Sequence, residues 1–152
     1  LSGSEAFEQT TLRIGELSAV TGSLYKDMHK TWKTSHRLPD NLPLLIAHHA
    51  AAIPATARSK IAMAVAGERT GLLDTHPSAA DRISTARRAA EPGIFSEDMP
   101  AWALLENFHS LSRIVTLAHY EDDLEVPNTP EFLIPVETIL QQPDADAQPP
   151  TG

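Results

Sequence analysis

The chain has no cysteine, so no disulfide framework and no thiolate zinc site can exist in it. Aromatic residues make up only 5% of its 152 residues, so a core must be built mainly from Leu, Ile, Val, Met and Ala. It holds no uncharged apolar run long enough to span a bilayer, and no basic, apolar, small-residue leader at its start. It therefore reads as a piece cut from something longer. Positive charge is the most unevenly missing feature. Every Lys and Arg lies in residues 1–113, balanced there by an equal number of carboxylates. Residues 114–152 carry Glu121, Asp122, Asp123, Glu125, Glu131, Glu137, Asp144 and Asp146 alone. The whole net charge of −8 thus sits in the last quarter. Phosphate backbones and anionic lipid surfaces are held by clustered Lys and Arg, which argues against a nucleic-acid partner and an anionic membrane surface.

The apolar fraction, 41%, is enough for one modest core. Its spacing predicts an all-α protein, a small irregular bundle of four or five helices over 1–126, followed by an extended, acidic, Pro-rich tail over 127–152. A first helix spans about Ser4 to Thr34, with Phe7, Ile14, Leu17, Leu24 and Met28 on a heptad-like seam open to self-association. Gly15 and Gly22 lie seven apart, tolerated or marking a close approach. Asp40 or Asn41 caps a second helix, with Pro43 in its first turn and Pro54 ending the nearly all-apolar run Leu44–Ile53, which calls for cover on both sides. A third helix runs from Ala55 to about Glu68 with Ile61, Val65 and Met63 as inward candidates.

Ser78 and Asp81 form a capping-box variant that opens a fourth helix, ending before Pro92-Gly93. A last helix is expected from about Pro100 to Asp122, with Trp102, Leu105, Phe108, Leu111, Val115 and Ala118 facing the core. Six of the 12 prolines fall between Pro127 and Pro150. Within that stretch Phe132-Leu133-Ile134-Pro135-Val136 is the only apolar patch, a short edge strand or a packed extended segment. Beyond Gln141 nothing apolar exceeds Ala, a composition that is disordered on its own.

No complete catalytic set is present. There is no His-Glu-x-x-His and no two histidines three or four apart; the adjacent His48 and His49 point about 100° apart on a helix and cannot share a metal. His119 precedes Glu121, Asp122 and Asp123, which reads as a solvated helix end before it reads as a cation site. No Gly-x-Ser-x-Gly elbow and no phosphate loop occur. His76, before Pro77, either bonds a backbone carbonyl to fix its turn or faces a cleft of a larger protein. Arg82 is either an ion-pair partner for Asp74 or Glu68, or an anchor to a neighbouring domain.

The run Gly71-Leu72-Leu73-Asp74-Thr75-His76-Pro77-Ser78, followed by Asp81-Arg82-Ile83, resembles a Thr-His-Pro…Arg-Ile signature near the C-terminal end of HtpX-like and CAAX-protease-like membrane zinc metallopeptidases. The likeness extends from Leu1-Ser2-Gly3-Ser4-Glu5-Ala6-Phe7 to about Arg88, with Pro92-Gly93-Ile94-Phe95 continuing it. Neither the zinc-binding motif nor the ligand glutamate of that family is present. The resemblance therefore implies the soluble, non-catalytic C-terminal region of a zinc metalloendopeptidase anchored in a membrane, a bacterial inner membrane. No cofactor is expected in this chain, and zinc belongs to the parent. Its partners would be the parent's own catalytic and membrane domains, with a docking or bracing role for His76, Pro77 and Arg82. The competing expectation is a stand-alone helical interaction module that self-associates through its first helix.

Overall fold

The computed structural model describes residues 2–71, 74–94, 99–127 and 130–141. They are almost wholly helical: α1 (Ser4–Ser35), α2 (Leu42–Ala51), α3 (Ala55–Gly67), α4 (Ala79–Ala89), α5 (Phe108–Asp122) and α6 (Val136–Leu140), with single 3-10 turns at Ala101–Leu104 and Pro130–Phe132. The all-α expectation holds. Among the described residues no helix is long and apolar enough to cross a membrane. The chain divides into two compact units, Leu1–Gly22 with Ala50–Ala101, and Ser23–His49 with Trp102–Gly152.

In the first unit the opening of α1 meets α3 and α4. Gly15 is where α3 comes closest, since a Cβ there would lie 3.1 Å from Val65 Cγ2 and 3.5 Å from Ile61 Cγ2. It is α3's side chains, and not its backbone, that need the missing methyl; Gly22 has open space around it. Val65 and Ile83 are buried here, whereas Met63, an inward candidate, is exposed because α3 presents only its Ile61–Val65 edge. Ile14 also leaves the proposed seam for solvent. Glu16 is the buried acid of this unit, and it is paired: Arg13 meets it at 2.7 Å and Arg58 at 3.3 Å. Both guanidinium groups also donate to the carbonyl of Ala50, one of the last carbonyls of α2, which have no acceptor role left within the helix. At the other end Gly3 adopts φ +84 with Gly93 packed so close that a Cβ would sit 2.5 Å from its nitrogen, and Ser4 exchanges hydrogen bonds with Glu91.

In the second unit the later half of α1 supplies Met28 to a cluster with Leu38, Leu42, Tyr120 and Val126, with Leu24, Tyr25 and Trp32 packed against it. His36 (φ 51) ends α1 in the left-handed region. The chain then pairs Leu38–Pro39 as β1 with Leu133–Ile134 as β2, in parallel register. So the apolar patch near the end is a strand, as its sequence suggested, and the segment from Pro130 to Leu140 is more than a tail. Val136 is fully buried at 0% exposure, and its N–H donates to Asp40 Oδ1 at 2.8 Å. Arg113 binds the other oxygen of Asp40 at 2.9 Å and reaches Glu137 at 2.7 Å, which joins α5, the strand pair and α6. The remaining residues to Gly152, with Asp144 and Asp146, lie outside the described residues.

Two further expectations about the helices fail for local reasons. The run from Pro100 to Asp122 is not one helix: Asn107 takes φ 54, a conformation Asn tolerates, and separates the 3-10 turn from α5. And α2 is not covered on both sides, for Leu42, Leu45 and Ala50 are buried while Ala47, His48 and His49 face water.

Candidate functional site

Asn41 caps α2 as expected, its Oδ1 accepting from Leu44 N–H at 3.1 Å. Pro43 has no N–H, so one first-turn donor remains, Leu42 N–H, and it is deeply buried. Thr116 Oγ1 accepts from it at 2.9 Å and donates onward to the carbonyl of Ser112 at 2.8 Å. One turn further, the Tyr120 hydroxyl donates to the carbonyl of Pro39 at 2.8 Å. Burial pushes the Tyr120 phenol far above its ordinary range, so it stays a donor. Thus Ser112, Thr116 and Tyr120, at spacing four, are the buried residues of α5. Its polar face is turned inward.

This reverses the expected inside face. Trp102, Leu105, Leu111 and Val115, expected in the core, are exposed, together with Leu104 and Ile114. Ile114 is 64% exposed and Leu104 74%. The inward choice was made by the unmet backbone groups at the start of α2, which an apolar side chain cannot satisfy. What remains outside is a continuous apolar stripe on α5, preceded by an apolar turn.

At the end of α5 a chain of side chains forms that no local motif announces. His119 Nδ1 meets Asp123 Oδ2 at 2.6 Å, and its Nε2 meets the hydroxyl of Tyr25, which is 94 residues away in sequence. With the carboxylate holding a proton on Nδ1, Nε2 is the acceptor and Tyr25 the donor. Burial and the negative charge of Asp123 both raise the Tyr25 phenol above its ordinary value. A phenol kept protonated is a poor nucleophile, and the arrangement ties α1 to α5. The adjoining cleft of about 180 Å3, between Tyr25, Trp32 and Leu124, is small for a ligand site.

The residues singled out by the signature run fall in the first unit and do not converge. His76 and Pro77 are exposed in the turn before α4, and among the described residues no hydrogen-bond partner meets the His76 ring. Arg82 pairs with neither Asp74 nor Glu68; its guanidinium lies 5.3 Å above the ring of Phe7, a cation–π contact that braces α4 on α1. Leu72, Leu73 and Phe95 lie outside the described residues. The cap is in place: Ser78 Oγ accepts from Asp81 N–H at 3.2 Å. Its return arm differs from a capping box, since Asp81 takes the hydroxyls of Ser78 and Thr70, and Ser78 N–H donates to Thr70 at 2.9 Å. Those hydroxyls hold the Asp81 carboxyl below its ordinary range.

A concavity of about 750 Å3 along Leu12, Met63, Val65 and Ile83 brings in Glu8 and Arg87, which neutralise each other as an ion pair. Among the described residues no three His, Asp or Glu side chains gather as a group that could hold a metal ion. Compared with protein families, with curated proteins and with solved structures, the chain matches none. Among the described residues, nothing in its own unit covers the apolar face of α5 and its preceding turn.

Proposed function

We propose that this chain is a non-catalytic docking region of a larger protein, the C-terminal region of a membrane-anchored zinc metalloendopeptidase, where it packs beside the catalytic domain and shapes access of substrate. One observation carries the docking part: an apolar surface from Trp102 to Val115 that its own unit leaves uncovered. Apolar patches of this kind on small domains mark surfaces that another polypeptide covers. The peptidase part is supported by Thr75-His76-Pro77 with Asp81-Arg82-Ile83, and by a set of side chains that suits bracing and not chemistry. In that reading zinc and the catalytic glutamate belong to the parent, and His76 and Pro77, exposed beside α4, are the contact points of the first unit.

Extending the reading frame upstream tests this. A His-Glu-x-x-His on a predicted helix, with zinc and casein cleavage in the longer protein alone, is the expected result. A longer frame with no such motif, or with no zinc, sinks the peptidase part. A stand-alone self-associating module is the second reading. The seam of α1 is largely spent inside the chain, Met28 buried and Leu24 against it, so the face of α5 is the surface left to serve it.

A further inference from the structure

We infer that the outer face of α5 takes an apolar helix flanked by Lys or Arg, presented by another polypeptide segment and not by a second copy of this chain. The inference rests on the docking reading above. Leu111, Ile114, Val115 and Ala118 stand at i, i+3, i+4 and i+7, the spacing of one helix face. The face is not a core that has merely rotated outward. Turning it inward would strip Leu42 N–H of Thr116 and the Pro39 carbonyl of Tyr120, both buried. The structure therefore fixes the stripe outward, where a second helix can lie along it ridge into groove.

The charges around the stripe choose the occupant. Glu121 and Asp122 lie three and four residues beyond Ala118, on the stripe's own line, and Glu125 follows. These acids stand at the C-terminal end of α5, where the helix dipole is already negative, so they do nothing for the helix itself. Among the described residues none of the three meets a Lys or Arg. Asp123 is spoken for by His119. A second copy laid α5 on α5 brings no free Lys or Arg of that helix to these acids in either direction. The single Lys or Arg after position 101 is Arg113, and Asp40 and Glu137 already hold it. Laid parallel, the acids of the two copies would face each other, and laid antiparallel they would meet the other copy's helix start, which carries no Lys or Arg. A helix with Lys or Arg beyond its apolar stripe satisfies both features at once, and the steering that such charges give raises the rate of encounter.

The test uses the full chain and two synthetic amphipathic helical peptides with the same Leu/Ala face, one flanked by Lys and one by Glu. Binding is followed by anisotropy of a labelled peptide, and self-association by sedimentation. The Lys-flanked peptide should bind. Its affinity should fall by about tenfold or more in 0.5–1 M salt and in the double variant E121K/D122K. It should be lost in I114E, a substitution at an exposed position whose helical circular dichroism should match wild type. The Glu-flanked peptide should not bind. Equal binding of both peptides, binding unchanged in I114E, or no binding at all overturns the inference. So does a dimer of the chain that I114E dissociates. A negative result here leaves the upstream zinc motif to be judged separately. A missing zinc motif likewise leaves this face and its peptide affinity untouched.

Discussion

Helices α4 and α5 both carry apolar residues at helical spacing, yet they bury opposite kinds of face. In α4, Ile83 goes inward with Ala79 and Ala86 half-buried beside it, and the arginines remain in water. In α5, Ser112, Thr116 and Tyr120 go inward and Leu111, Ile114 and Val115 stay out. The difference lies in what each helix is packed against. The inner side of α4 meets side chains of its own unit, and burial of apolar area decides the matter. The inner side of α5 meets the start of α2, whose orphan N–H and neighbouring carbonyl need a hydroxyl each. An amphipathic period says that a face wants cover; it does not say which polypeptide supplies it.

Cutting into the two faces of the second unit should give the widest contrast. Leu42 is 5% exposed and packs on Tyr120, so Leu42→Ala is expected to cost about 2–5 kcal/mol of unfolding free energy. Ile114→Ala, on the outer stripe, should stay within about 0.5 kcal/mol. Urea titrations of the two variants side by side measure both. Comparable losses would mean that the stripe is an inside face after all, and the docking argument would fall with it.

A smaller effect probes why α5 turned its polar side in. Thr116→Val keeps the shape but leaves Leu42 N–H buried without an acceptor, which should cost about 1–3 kcal/mol, and Thr116→Ser should recover most of it. Thermal melts compare the three proteins. If Val is tolerated as well as Ser, the hydroxyl is incidental and some other feature sets the rotation of α5.

Legibility followed the range of the interactions. The start of α2 at Asn41, the Ser78 cap of α4 and the end of α1 near His36 could be read locally, because each depends on residues within a few positions. The inward side of α5 could not, because Thr116 answers a donor 74 residues earlier. Tyr25 and His119 were equally hidden: each is ordinary in its own helix, and only folding brings them together. The break at Asn107 had a faint signal, an αL-tolerant residue before Phe108, but the apolar period running through it was stronger. Arg82 lies on α4 as read, and of its two readings the ion pair with Asp74 or Glu68 does not form; its contact is Phe7, on a distant stretch of chain that no local pattern could point to.

The smallest expected effect separates the two helices by the source of their acid sensitivity. Asp81, in the cap of α4, is held below the ordinary carboxylate range by the hydroxyls of Thr70 and Ser78, which are neutral donors. Glu137, against α5, is held low by its own backbone N–H and, in part, by the charge of Arg113. In both cases the folded state binds its proton less readily than the unfolded chain does. The stabilisation is therefore complete above the ordinary carboxylate value and is lost as pH falls through the lowered one. Urea midpoints at roughly pH 6 and pH 3 should drop for wild type and drop less for Asp81→Asn and for Glu137→Gln. Salt at about 1 M should shrink the Glu137 contribution and leave that of Asp81 nearly unchanged, because ions screen a guanidinium but not a hydroxyl. The charge of Arg69 adds a smaller lowering at Asp81, so if salt shrinks both alike, that charge and not the hydroxyls dominates, and α4 is less self-contained than its local cap makes it look.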